Sequence, residues 1–188
     1  MFIQTEATPN PEVLKFLPGR EVLGEGTREF RDAGEAAVSP LAKALFDLGS
    51  VARVFFGPDF LTVTKSADAD WPHLKAPILA AVMDHFTSGA PLLAGEAEGH
   101  DDTGVYDEDT AQIVAEIKDL LDSRIRPAVA QDGGDIVFSR FEPDTGVVYL
   151  HMRGACSGCP SSSATLKAGV ENMLKHYVPE VTRVEQTL

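Results

Sequence analysis

Residues 89–107, GAPLLAGEAEGHDDTGVYD, divide this chain into two parts that must each find a core of their own. The stretch holds five acids and no lysine or arginine, and its glycines and small residues follow neither helical nor strand periodicity. A segment of this kind reads as a solvated linker. Its Leu92-Leu93 pair is apolar enough to dock on the first part, so the flexible portion is expected to begin nearer Gly95. The flanking parts, 1–88 and 108–188, each carry 8 basic and 12 acidic residues, so the break in charge coincides with the break in pattern. The expected fold class is α+β: two small α/β-sandwich-like domains, 1–88 and 108–188, joined by a flexible acidic linker.

In the first domain, FIQTEAT (2–8) and EVLKFLPG (12–19) predict strands around a Pro9-Asn10-Pro11 turn. Ser39-Pro40 opens a helix, a capping residue followed by a proline whose missing N–H costs nothing there. Leu41, Ala44, Leu45 and Leu48 form its expected apolar stripe. VARVFFG (51–57) and FLTVTKS (60–66) predict a hairpin around Gly57-Pro58-Asp59. From Pro72, a four-residue recurrence of Leu74, Ile78, Val82 and Phe86 predicts a second helix, on which His73 and His85 are read as solvated or half-buried.

The second domain reads α-β-β-α-β. A helix from about Thr110 places Ile113, Ile117, Leu120, Leu121 and Ile125 on one face and ends near Arg126-Pro127 or somewhat beyond. In QDGGD (131–135), two glycines between aspartates mark a turn with unusual backbone angles, and Asp132 and Asp135 need no role beyond it. DIVFSRFE and GVVYLHMRG are strands around Pro143-Asp144-Thr145-Gly146. After RGACSGCPSSSATLK (153–167), Leu166, Val170, Met173, Leu174 and Tyr177 make a helical stripe stopped by Pro179, and VTRVEQ closes as a strand.

The net charge of −13, with no Lys/Arg cluster, argues against a nucleic-acid partner, which needs a basic stripe. No apolar run approaches the length of a membrane span, and no leader segment is visible. The expectation is a soluble protein of the bacterial cytoplasm, or of the mitochondrial matrix if this is a processed form. In such a reducing compartment a CxxC pair leans towards metal or redox work.

Cys156 and Cys159 are the only two cysteines in 188 residues. Pro160 suits a first helical turn, so the pair is expected at a helix N-terminus, where the macrodipole favours thiolate. Gly154 and Gly158 allow backbone N–H groups to approach sulfur, and Arg153 adds positive charge. Several uses remain open. A thioredoxin-like dithiol oxidoreductase shares the strand–CxxC–helix order, but here a hairpin precedes the motif in place of a β-α-β unit. Zinc within one chain needs two histidines; only His176 follows, and His151 is more naturally a strand residue. Four thiolates, for zinc or for a cluster, require a second copy of the chain, most simply by twofold symmetry.

Taken together, AQDGGDIVF and RGACSGCPSSSATLKAGVENMLKHYVPEV resemble the C-terminal domain of NifU, as found in the Nfu iron–sulfur cluster carriers. MFIQTEATPNPEVLKFLPG through FFGPDFLTVTK is similar to the N-terminal domain that accompanies it in alphaproteobacterial and mitochondrial Nfu proteins. The resemblance implies a non-enzymatic carrier. Its 4Fe-4S cluster, with 2Fe-2S also possible, would be held between the two protomers of a homodimer by Cys156 and Cys159 of each. It implies an upstream scaffold as donor and apo iron–sulfur proteins as recipients, such as lipoyl synthase or aconitase-type enzymes. The cysteine-free N-terminal domain would then serve partner recognition.

Overall fold

A computed structural model describes residues 2–94, 104–157 and 160–187, the last stretch with side chains from residue 164 onward. The chain falls into two units, Met1–Glu98 and Gly99–Leu188. In the first, β1 (Gln4–Ala7), β2 (Val13–Leu17), β3 (Arg28–Phe30), β4 (Val51–Phe56) and β5 (Leu61–Lys65) form one antiparallel sheet in the order β1-β2-β5-β4-β3. Alternation along the strands sorts the side chains onto two faces. Phe16, Val54, Phe56, Leu61 and Val63 join Leu41 and Leu45 of α1 (Pro40–Phe46) and Leu74, Ile78 and Val82 of α2 (Trp71–Ser88) in one core. Phe30 meets Phe56 edge-on with ring centroids 5.2 Å apart.

Both helices begin as their sequences dictate. Ser39 Oγ accepts a hydrogen bond from Ala42 N at 3.2 Å, and Pro40 follows as the first residue of α1. Trp71 opens α2 and donates its indole N–H to the Pro11 carbonyl at 3.0 Å, tying this helix to the β1–β2 turn. Three details differ from expectation. Strand β3 and the short 3-10 turn Glu35–Val38 carry too few residues to show a period. Ala42, and not Ala44, completes the buried stripe of α1, because a seven-residue helix beside a sheet presents a broader face. His85 is buried, at 8% exposure, and burial lowers its pKa from 6.5.

Residues expected in the linker are partly engaged. Leu92 and Leu93 pack on the first core, and Ala94 N donates to the Val38 carbonyl at 2.6 Å. Tyr106 packs on the second core and its Oη accepts from Phe141 N at 3.1 Å, while Asp107 caps the next helix through Thr110 N at 2.8 Å. Residues 95–103 lie outside the described residues.

The second unit follows the α-β-β-α-β order. Its first helix is continuous but not uniform: α3 (Glu108–Leu120) passes through a π-helical turn, Leu121–Ile125, into α4 (Arg126–Gln131). Strands β6 (Gly134–Glu142) and β7 (Val147–Gly154) pair antiparallel, with a bulge between Phe138 and Arg140. Helix α5 (Pro160–Tyr177) carries the chain back to β8 (Arg183–Thr187), which pairs parallel to β7. The sheet order β6-β7-β8 puts β7 in the centre. Val114, Ile117, Leu121 and Ile125 pack on Ile136, Val148, Leu150 and Met152, with Val170 and Leu174 from α5. Ile113 and Leu120 are only partly buried, so the stripe is centred on Val114. Tyr177, expected in the stripe of α5, is 46% exposed and accepts a hydrogen bond from Arg124 at 3.2 Å.

The burial of His85 fixes a pH response for the first unit. Its folded pKa lies below the unfolded value near 6.5, so the unfolded chain takes up the proton first as pH falls. The contribution is complete above pH 6.5 and is lost progressively below it. Unfolding monitored by Trp71 fluorescence should show His85→Leu losing less stability than the parent chain on acidification.

Candidate metal centre

The site forms where α4 hands the chain to β6 and β7 hands it to α5. The helix ends as Asp132 N and Gly133 N donate to the carbonyls of Val129 and Ala130, at 3.1 and 3.0 Å. Gly133 then takes a left-handed conformation with φ 81°, the residue type such a helix exit favours. Its carbonyl accepts Ala155 N at 3.1 Å, fastening the cysteine loop to this exit. Gly154, the last residue of β7, also has positive φ, 63°, and its carbonyl accepts both Ser157 N at 3.1 Å and Ser157 Oγ at 2.9 Å.

Gly134 and Gly154 face each other across the β6–β7 ladder. A methyl group at Gly134 would overlap the sulfur of Cys156, and would lie 2.9 Å from the Arg153 carbonyl oxygen. The bare backbone of Gly134 is thus the bed on which the Cys156 thiol rests. Cys156 is 7% exposed and belongs to the core of the second unit.

This placement corrects the expectation that the surroundings favour thiolate. Burial, followed by the negative charges of Asp132 and Asp135, pushes the Cys156 thiol up to about 12. At neutral pH it is protonated. A dithiol oxidoreductase attacks through its thiolate, so this sulfur is poorly suited to open a disulfide exchange. A metal ion binds by displacing the proton, which a high thiol pKa delays but does not prevent. Pro160 is the first residue of α5, as its type predicts. Gly158 and Cys159 lie outside the described residues.

The remaining candidates are dispersed. His151 sits on β7 with its ring nitrogen 2.8 Å from Thr187 Oγ1, and His176 lies near the other end of α5 against the Tyr177 ring. Among the described residues, no group of three or more His, Cys, Asp or Glu side chains is placed to hold a metal ion. Asp135, read from sequence as a turn residue, is 3% exposed and receives both Nε and Nη2 of Arg126, at 2.8 and 2.9 Å. Its Oδ1 also accepts Ile136 N at 2.9 Å. Donating these hydrogen bonds to Asp135 raises the pKa of Arg126, which stays charged throughout. The only sequence signal for this pair is an arginine just before a helix proline and an acid beginning a strand.

Comparison with known proteins agrees with the resemblance read from the motifs. Residues 3–89 match the family described as scaffold protein Nfu/NifU N terminal, and residues 117–185 match the NifU-like domain. The chain belongs to the Nfu/NifU-like family, whose members are scaffolds and not enzymes. It is 56% identical over 187 residues to NifU-like protein 4, mitochondrial, of Arabidopsis thaliana, covering 99% of this chain and 66% of that protein. It is 54% identical over 187 residues to the NFU1 iron-sulfur cluster scaffold homolog, mitochondrial, of Drosophila willistoni, covering 99% of this chain and 63% of that one. The chain thus spans about two thirds of the length of these relatives. A solution structure of a NifU-like protein from Saccharomyces cerevisiae aligns with 51% of this chain and 87% of its own, at TM-score 0.47 and 26% identity.

Two glycines should respond in opposite directions to alanine. Gly134→Ala forces the Cys156 sulfur from its bed and should destabilise the second unit by about 1–3 kcal/mol, the usual cost of overpacking. Gly169, in α5, has open space where a methyl group would stand, and Gly169→Ala should gain about 0.5–1 kcal/mol. Urea unfolding of the full chain, with hydrogen exchange reporting on the second unit, measures both.

Proposed function

We propose that two copies of this chain hold an iron–sulfur cluster between them, through Cys156 and Cys159 of each, and pass it to apo-proteins. The cluster is of the 4Fe-4S type, and transfer proceeds by exchange of thiolate ligands with cysteines of the recipient. The observation that carries this reading is the setting of Cys156. It is a buried sulfur on a glycine bed at the end of a central strand, in a chain with only two cysteines. Four cysteine ligands are the usual complement of a cluster, and one chain supplies two, so a second copy completes the set. The name of the Drosophila relative, an iron-sulfur cluster scaffold homolog, supports the same cargo.

The first unit, with no cysteine, serves recognition of donor and recipient proteins in this reading. Recipients are apo iron–sulfur enzymes of the lipoyl synthase and aconitase kinds, and the donor is an upstream scaffold. The relatives' names place those proteins in mitochondria, which supports the matrix, the second of the two compartments expected. They lend no support to a bacterial cytoplasm.

Anaerobic reconstitution followed by iron and sulfide analysis tests the reading. About four iron and four sulfide per dimer, with broad visible absorption, are expected. A colourless dimer holding zinc overturns it. Cys156→Ser and Cys159→Ser should each abolish the cluster. Assembly should also weaken as the medium is made more acid, because each Cys156 releases a proton on binding. Reconstitution yield measured across a pH series checks that sign.

A further inference from the structure

The geometry points to Arg126 and Asp135 as a positioning pair for Cys156 that sets how long two protomers retain their cluster. This inference rests on the carrier reading. Arg126 is the first residue of α4, and Asp135 is the second residue of β6. Their bidentate ion pair, at 2.8 and 2.9 Å, closes the helix exit across the Asp132–Gly134 turn. Gly134, immediately before Asp135, is the surface against which the sulfur rests, and Gly133 holds the cysteine loop by its carbonyl. Neither Arg126 nor Asp135 needs to reach the sulfur; the pair acts through the backbone between them.

The π-turn explains how Arg126 comes to this position. Pro127 has no N–H, and its ring would clash with the carbonyl of Ser123 in a regular α-helix. The helix widens over Leu121–Ile125, and Arg126 N donates to the Leu121 carbonyl, five residues back. The wider turn accommodates the proline and rotates α4 relative to a straight continuation of α3. Arg126 thereby faces β6, with its other hydrogen bond going to the exposed Asp122 at 2.9 Å. The Asp135 side chain, at 4% exposure, has exchanged water for this guanidinium. A planar fork suits that exchange; a lysine ammonium does not reproduce its two parallel bonds.

Arg126→Lys keeps the charge and removes the fork. In reconstituted full-length dimer, loss of visible absorption to an iron chelator should quicken about tenfold, the low end of the effect of removing an outer hydrogen-bond partner from a metal site. The visible circular dichroism of the cluster should change, and the thermal midpoint should fall while the chain stays folded. In the metal-free Cys159→Ser chain, where Cys156 is the only thiol, alkylation at fixed pH should also accelerate. Arg140→Gln, which breaks an exposed pair with Glu142 on the same strand, should leave all readouts unchanged. Arg126→Gln repeats the test if the lysine variant folds poorly. Alkylation and cluster loss at parental rates in a folded variant overturn the inference, and so does loss of fold in both variants, which makes the pair a plain strut. If the parent chain takes up no cluster, the carrier reading fails, and alkylation alone decides whether the pair positions Cys156.

Discussion

A missing side chain governs this molecule's sulfur chemistry. Because Gly134 has no Cβ, a cysteine from the neighbouring strand's exit can lie against the start of β6, inside the core and almost out of water. The same contact explains the protonated state of the thiol, since it holds Cys156 among apolar groups and near the charges of Asp132 and Asp135. It also explains the geometry around it. Positive φ at Gly133 and Gly154 turns the helix exit and the strand exit towards each other, so that Gly133 O and Ala155 N can meet. The hydrophobic packing of the second unit would tolerate many sequences. This close approach of backbone to sulfur would not.

The site is therefore built at two junctions between elements. Helix α4 and strand β6 supply the bed, while strand β7 and helix α5 supply the sulfur loop. The same burial raises the pKa of Cys156, so in the proposed reading the thiol would give up its proton only as metal binds.

Much of this is legible in the amino-acid order, and the reasons are local. Ser39-Pro40 fixes a helix start by capping chemistry, and the glycine and proline turns fix the three hairpins. The spacing of Cys156 and Cys159, with the motifs on either side, is specific enough to indicate the family. The features that stay hidden depend on partners distant in sequence. Three residues, Arg28–Phe30, become a strand only because β4 offers an open edge. Asp135 looks like half of a turn until the π-turn at Leu121–Ile125 brings Arg126 round to it. The helix N-terminus and Arg153 suggest an ionised sulfur, but dipole and spacing arguments carry no information about burial or about carboxylates folded in from elsewhere. The depth of His85 escapes the sequence for the same reason: a helical wheel shows its direction, not how much packs above it.

The hydrogen bond from Trp71 to the β1–β2 turn has a spectroscopic consequence. Trp71 is the chain's single tryptophan, so all indole emission originates in the first unit, from a ring whose N–H is fixed by the Pro11 carbonyl. An iron–sulfur centre on the second unit would be a broad absorber with no emission of its own. Donor and acceptor would thus sit on separate units, and quenching of that one fluorophore would become a built-in ruler for how near the first unit comes to a cluster bound on the second.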